Sequence, residues 1–253
     1  MYVDINIFAR TGQMEKKMTG NKVLSIAAKS IAVALMLGTC GAWAQNSKTS
    51  YPSMAPLDQY LMKDRNAEIA LARSAAPESI SRDAEVLVLG RNGYETAVKG
   101  KNGFVCIVER SWTAPIDEPD FWNPKVRAPL CLNAAAARSY LPRTIKKTNL
   151  ILAGDTKDQM MKSIMAAIDN KELPAIEPGA ICYMLSKQGY LNDRGGHWLP
   201  HVMFFVSQGD PAKWGANLSG SPILAFVDPR EHLTTFMVPV QQWSDGTQVE
   251  PAK

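Results

Sequence analysis

Two glycine-bounded segments, Gly90-Arg91-Asn92-Gly93 and Gly100-Lys101-Asn102-Gly103, restrict the fold of this chain more than any other feature. Each contains an Asn-Gly step between runs rich in Val, Ile and aromatic residues. Asn-Gly is a strong hairpin signal, because both central positions of a type I′ turn need positive φ. The sequence therefore predicts three antiparallel strands, at 85–89, 94–99 and 104–110, joined as a meander.

The other elements occur in separate runs of helices and strands, without the regular alternation of a doubly wound sheet. Hydrophobic spacing predicts an amphipathic helix from Leu57 that ends before Pro77. Because the runs are separate, we expect an α+β fold in which one or more antiparallel sheets pack against a few helices. The remaining predicted elements are a helix at 133–140, a buried strand at 149–153, a helix capped by Asp155, and strands at 180–185, 201–206, 223–227 and 233–240.

The helix after Asp155 carries an apolar stripe that includes three methionines, Met160, Met161 and Met165. Clustered thioethers in an exported protein raise the hypothesis of a copper(I) site. Packing of a buried helix face explains the same spacing without a metal. We therefore interpret the stripe as core.

The amino-terminal region has the layout of a secretory signal peptide. Lysines at 16, 17 and 22 precede an apolar run from Val23 to Ala44 that ends in Ala42-Trp43-Ala44. These are the parts of such a signal: a basic region, a hydrophobic region and a small-x-small cleavage site. Lys29 leaves the run short of the ~20 apolar residues that a bilayer anchor requires. We expect cleavage before Gln45, no stable transmembrane anchor, and export to the periplasm or the extracellular space.

Two details of this region stay open. Translation beginning at Met14 or Met18 would still supply a complete signal. Lipidation of Cys40 is a weaker alternative, because Gly38 and Thr39 suit a lipidation site poorly. We divide the chain into a signal region at 1–44, a mobile leader at 45–55, one globular α+β domain at 56–243 and a polar tail at 244–253.

Charge argues against a nucleic-acid partner. The full chain has 28 Lys and Arg against 24 Asp and Glu, and removal of residues 1–44 takes away five basic and two acidic residues, which leaves a net charge of +1. No remaining block of Lys and Arg is long enough to follow a phosphate backbone.

Three cysteines would remain in an oxidising compartment. Cys106 lies in a predicted strand and Cys131 at the end of a proline-rich loop, so we predict that they form a disulfide, worth ~3 kcal/mol in the chain-entropy model. Other pairings stay open. Cys182 lies in an apolar run and is interpreted as a buried small hydrophobe rather than a catalytic thiol.

The proline-rich loop at 111–129 combines aromatic rings with acidic residues. Trp112 and Trp122 could form a wall for a sugar or a cationic ligand, and the acids could bind calcium, although their spacing is not that of an EF-hand. Large rings in loops more often fix the loop to the core, and we favour that interpretation. The candidate ligand contacts are Trp112, Trp122, Trp198 and Trp214. Trp214 lies in a loop at 209–222 that could cover a pocket.

Histidines supply a candidate metal site for zinc or another divalent cation. His197 and His201 are four residues apart, but Pro200 favours an extended chain, in which four residues span ~13 Å, too far for both to bind one ion unless the loop doubles back. His232, Glu231, Asp228 or Asp193 could complete the site. The sequence lacks a nucleophile elbow, a phosphate-binding loop and a dinucleotide fingerprint.

Two functions remain as hypotheses. The first is non-catalytic binding of a small molecule, a polysaccharide or an envelope protein by an exported domain. The alternative is a metal-assisted hydrolase that uses the region of His197, His201 and His232, with Glu231 as general base.

Overall fold

The computed structural model describes residues 51–193 and 199–250. The signal region, the first part of the leader, residues 251–253 and the candidates His197 and Trp198 lie outside this described part. The described elements are, in chain order, α1 (Arg65–Arg73), α2 (Glu78–Ser81), β1 (Glu85–Gly90), β2 (Gly93–Val98), β3 (Val105–Glu109), β4 (Ala128–Leu132), α3 (Ala134–Ser139), α4 (Leu141–Leu152), α5 (Lys157–Asp169), β5 (Ile181–Met184), β6 (His201–Ser207), β7 (Leu224–Asp228) and β8 (Leu233–Pro239).

The eight strands form one sheet in the order β2-β1-β3-β4-β5-β6-β8-β7. All neighbours are antiparallel except β1 and β3, which pair in parallel. Helices together with this sheet confirm a mixed helix and strand fold. The expectation of a purely antiparallel sheet is wrong, because the sheet is mixed.

The first Asn-Gly turn is a hairpin and the second is not. Gly90 pairs with Gly93 across Arg91 and Asn92, as predicted. After β2 the chain instead passes the start of β1, and β3 joins the opposite edge of β1. Gly100 permits this crossing, since a Cβ there would collide with the backbone of Glu85.

Asn102 fixes the crossing segment on its new path. Its Nδ2 donates to the carbonyl oxygen of Ile80 at 2.7 Å, and its Oδ1 accepts from the backbone of Phe104 at 3.1 Å. The asparagine therefore joins the chain to the segment before β1 instead of closing a hairpin, and the predicted meander is wrong.

Two helical predictions also need correction. The helix expected from Leu57 begins at Arg65, where Asp64 caps it by accepting from the Asn66 backbone. The strand expected at 149–153 is the last turn of α4. Pro142 stands in the first turn of α4, where a missing N–H costs nothing, so it begins this helix rather than only ending the preceding one.

Helix α5 agrees better with its prediction. Its cap is Thr156, which forms a capping box with Gln159, and not Asp155 as expected. Met160, Met161 and Ile164 are buried in the core as expected, whereas Met165 is 38% exposed.

Alternation along the strands gives the sheet two apolar faces. One face, with Ile107 and Leu130, packs against α3 and α4. The other, with Val86 and Val108, packs against α1. The pairing register places Phe204 and Phe236 on the α1 side of the sheet, where the segment from Gly209 to Ile223 covers them.

The predicted cysteine pair is present. Cys106 and Cys131 face each other across β3 and β4 and form a disulfide. Cys182 is a buried free thiol, and the register of β4 with β5 places it on the opposite face of the sheet from Cys131. One compact unit contains all the described residues. Within them, no helix is long and apolar enough to cross a membrane.

Candidate functional site

One face of α4 presents polar side chains to the protein interior. Four of these side chains are each at most 6% exposed: Arg143, Thr144, Lys147 and Thr148. Because residues three and four positions apart are neighbours on a helix surface, this spacing places all four on one face of α4. None of these four residues is among the candidates from the sequence. A polar stripe at helical period is visible in the sequence, but only when 141–152 is assigned as helix.

Glu109, the last residue of β3, accepts hydrogen bonds on both carboxylate oxygens. Thr144 Oγ1 donates to Oε1 at 2.7 Å, and Thr113 Oγ1 donates to Oε2 at 3.1 Å. Burial raises the pKa of Glu109, while the Thr144 hydrogen bond and the positive charge of Lys147 partly oppose the rise. This carboxyl group is thus buried and enclosed by donors.

Glu231, a predicted metal ligand or general base, is joined to α4. Lys147 Nζ lies 2.5 Å from its Oε1, with both side chains less than a tenth exposed. Arg143 Nη1 donates to the backbone oxygen of Glu231 at 2.5 Å. The ion pair neutralises the carboxylate that the hydrolase hypothesis would use as a base, so the arrangement fits a structural role.

The two described histidines are far apart. His201 begins β6 opposite Pro239, whereas His232 precedes Leu233, which faces Ser207 at the other end of the same ladder. Six residues of strand separate these ends by ~20 Å, and a zinc–nitrogen bond is only ~2 Å, so His201 and His232 cannot share one ion.

His201 is 4% exposed, and its Nδ1 lies 2.8 Å from the carbonyl oxygen of Leu199. Burial lowers its pKa, so the neutral ring, which donates through Nδ1, is favoured. A metal site based on His201 and His197 stays a prediction, since His197 lies outside the described residues. Within residues 51–193 and 199–250, no group of three or more His, Cys, Asp and Glu is arranged to hold a metal ion.

The thiol of Cys182 is not activated. Burial and the nearby charge of Glu109 raise its pKa well above the ordinary value. A thiol needs a lowered pKa to act as a nucleophile at neutral pH. This agrees with the structural interpretation of Cys182.

The candidate tryptophans at 112 and 122 are packed inward. Trp112 is fully buried and its Nε1 donates to Thr148 Oγ1 at 3.0 Å, while Trp122 is 7% exposed. The ring centroids of Tyr60 and Trp112 are 4.9 Å apart, and the Tyr60 hydroxyl donates to the backbone oxygen of Trp122. These rings fix the proline-rich loop to the core and leave little surface for a ligand.

Trp214 is the candidate ring that the structure does expose. It closes the short 3₁₀ helix Pro211–Trp214 and is 45% exposed. Its inner face stacks on Phe236, with 4.3 Å between ring centroids and 19° between planes. Since Phe236 is fully buried, the opposite face of Trp214 is directed away from the protein.

The chain around Trp214 is held in place by backbone interactions. Asp210 caps the 3₁₀ helix by accepting from the Ala212 N–H at 3.0 Å, and Gly215 ends it in the left-handed conformation. Asn217, also left-handed, uses its side-chain amide to exchange two hydrogen bonds of 2.9 Å with the backbone of Ala225 in β7. The loop at 209–222 is therefore anchored to the sheet it covers.

The same loop and strand expose two further large apolar side chains, Leu218 at 60% and Val227 at 53%. Exposed apolar side chains in one region commonly mark a binding surface. We refer to Trp214, Leu218 and Val227 as the Trp214 surface.

Comparison with known proteins adds no function: no protein-family model matches this chain, and neither the curated proteins nor the solved structures include a significant match.

Proposed function

We propose that this protein is an exported, non-catalytic binding domain that holds a sugar ring of a polysaccharide on the open face of Trp214. The observation that carries the proposal is the half-exposed Trp214 ring, stacked on buried Phe236. A pyranose ring has a flat face of C–H groups, which packs against an aromatic ring and removes apolar surface from water.

Rigidity supports this proposal. A ring that is already fixed loses little conformational freedom when a ligand binds, so more of the contact energy appears as affinity. The stacking on Phe236 and the hydrogen bonds of the Asn217 side-chain amide hold the Trp214 ring in place before a ligand binds. Exposed Lys213 and Ser219, close in the chain, offer donors to sugar hydroxyl groups.

A protein partner fits this surface less well. Stable protein interfaces bury about 800 Å² on each side, far more than three side chains supply. Addition of a partner strand is also obstructed, because the Asn217 amide occupies the outer backbone groups of β7 at Ala225. A narrow, flat ligand suits these features best.

Affinity gel electrophoresis tests the proposal. The full-length precursor is expressed with its own export region, and the exported protein is run through gels that contain soluble polysaccharides. We expect at least one polysaccharide to retard it, and Trp214→Ala to weaken the binding by about tenfold or more, as for an anchoring aromatic side chain.

Met165→Ala is the matched control, because it removes another exposed apolar side chain, on α5, and should leave the retardation unchanged. Equal migration of wild type and Trp214→Ala in every gel would contradict the proposed site. Release of reducing ends from a polysaccharide would contradict the non-catalytic role.

A further inference from the structure

A cavity of about 230 Å³ lies between the segment before α1 and the β1–β2 hairpin. Leu61, Met62 and Leu89 provide apolar lining, and Gly90 adds no side chain. Glu68 of α1 also lines this cavity, which we call the Glu68 cavity, although Glu68 is only 1% exposed. A carboxylate in such a position requires partners, because a buried charge without hydrogen bonds is costly.

The described residues provide partners for only one of the two oxygens of Glu68. Oε1 accepts from Arg110 Nη2 at 2.8 Å and from the Leu89 backbone at 3.2 Å. No described residue donates a hydrogen bond to Oε2. Oε2 is also not among the fully sealed, unpartnered side-chain atoms of the described chain, so it keeps a small accessible surface, and Glu68 is one of the residues that line the cavity.

The rim of the Glu68 cavity carries one uncommitted positive charge. Arg65 and Arg91 also line the cavity, but they are ion-paired with Glu95 and Asp58. Lys63 is exposed and forms no ion pair with any described residue. It stands two residues before α1.

We propose that the Glu68 cavity binds a small carboxylic acid that carries an amino or hydroxyl donor. The donor group bonds to Glu68 Oε2 at the floor, and the carboxylate lies against Lys63 at the rim. The volume excludes a polymer but accommodates a molecule of a few heavy atoms. This proposal is independent of the Trp214 surface, since it uses none of the same residues.

Isothermal titration of the exported protein tests this inference with four probes. Glycine and glycolate each carry a carboxylate and a donor; acetate lacks the donor, and ethanolamine lacks the carboxylate. We expect glycine or glycolate to bind with a millimolar or lower dissociation constant, and acetate and ethanolamine to bind about tenfold more weakly. Stronger binding of glycine or of glycolate then identifies the amino or the hydroxyl donor.

Two variants locate the binding without disturbing the Glu68–Arg110 pair. Lys63→Gln should lower the affinity for the preferred acid about tenfold, which corresponds to the loss of one charge-assisted hydrogen bond. Lys101→Gln, a change at another exposed lysine, should leave the affinity unchanged. Gly90→Ala adds a methyl group to the wall; its Cβ would meet ordinary contacts of 3.5 Å or more, so the variant should fold and bind less well.

Three results would overturn the proposal. They are the absence of binding by both donor-bearing acids at millimolar concentration, equal binding of acetate, and unchanged affinity in both Lys63→Gln and Gly90→Ala. The first would mean that the Glu68 cavity binds no such acid, the second that no donor is recognised by Glu68, and the third that the acid binds elsewhere.

Discussion

Lys147 and Glu231 illustrate how single residues hold distant parts of this protein together. Their ion pair joins α4 to the turn between β7 and β8, 84 residues further along the chain. Burying both charged groups costs free energy. Replacing only one of them costs far more, because the remaining buried charge then lacks a partner.

We expect Lys147→Met to lower the free energy of unfolding by about 3–5 kcal/mol, since it leaves the Glu231 carboxylate buried and unpaired. The double variant Lys147→Met/Glu231→Leu should recover most of this loss. Urea unfolding monitored by circular dichroism measures both values.

The exposed pair Lys187–Asp245, with both side chains about half exposed, is the matched control. Lys187→Met should cost less than about 1 kcal/mol. An equal loss in the single and double variants at Lys147 would show that the ion pair is not the cause.

At the level of single residues the sequence identified several chemical groups but not their surroundings. Glu231 was selected because it adjoins His232, yet its partner Lys147 is distant in the chain and could not be inferred from spacing. By sequence Trp112, Trp122 and Trp214 are alike as rings in loops, and only the three-dimensional packing shows that Trp214 is exposed while the other two are buried. The disulfide was predictable, because both cysteines flank one loop.

At the scale of elements, most segments with one clear hydrophobic pattern were predicted, including the short β5 and α3, whereas the twelve-residue α4 was not recognised. The four C-terminal strands and α5 agree closely with their hydrophobic patterns. The run at 149–153 was misassigned, because four consecutive apolar residues after Asn149 fit the last turn of a helix as well as a buried strand. The second Asn-Gly turn failed because Gly100 and Asn102 serve a crossing that depends on Glu85 and Ile80.

The outer edge of β7 supports a prediction about self-association. Asn217 occupies the outward backbone groups of Ala225, and open strand edges pair readily with other chains. Glycine tolerates the left-handed backbone at this position. We therefore expect Asn217→Gly to fold, but with a free energy of unfolding lower by about 1–3 kcal/mol, because two hydrogen bonds are lost. We also expect this variant to self-associate. Size-exclusion chromatography and urea unfolding report the two effects separately.

A second change distinguishes edge pairing from general loss of structure. Val227 is exposed on the same strand, and a lysine there should repel an added strand. Asn217→Gly/Val227→Lys is therefore expected to be monomeric without regaining stability. Persistent association of this double variant would contradict edge pairing as the cause.

At the scale of the whole molecule, one sheet is covered on both faces, and the disulfide between β3 and β4 lies within it. The two cysteines are 25 residues apart and close the loop that contains Trp112 and Trp122. Two strands at the centre of the sheet and a long irregular loop thus depend on one covalent link.

We expect Cys106→Ala/Cys131→Ala to lower the free energy of unfolding by roughly 3–4 kcal/mol, the chain-entropy value for a loop of this length. A reductant should destabilise wild type to a similar extent and leave the double variant unaffected. Cys182→Ala serves as the control and should remain sensitive to reductant. If urea midpoints of wild type are equal with and without reductant, the disulfide does not contribute to stability.

The order of the strands also determines how the sheet can grow on a nascent chain. Once β1 and β2 have formed their hairpin, β3, β4, β5 and β6 each add in turn to the same growing side. Only β7 must wait, because its neighbour in the sheet, β8, is made after it. A chain whose synthesis stops after residue 207 would therefore keep β6 as an open template, and the final hairpin, with Asn217 on its outer edge, completes and closes the sheet.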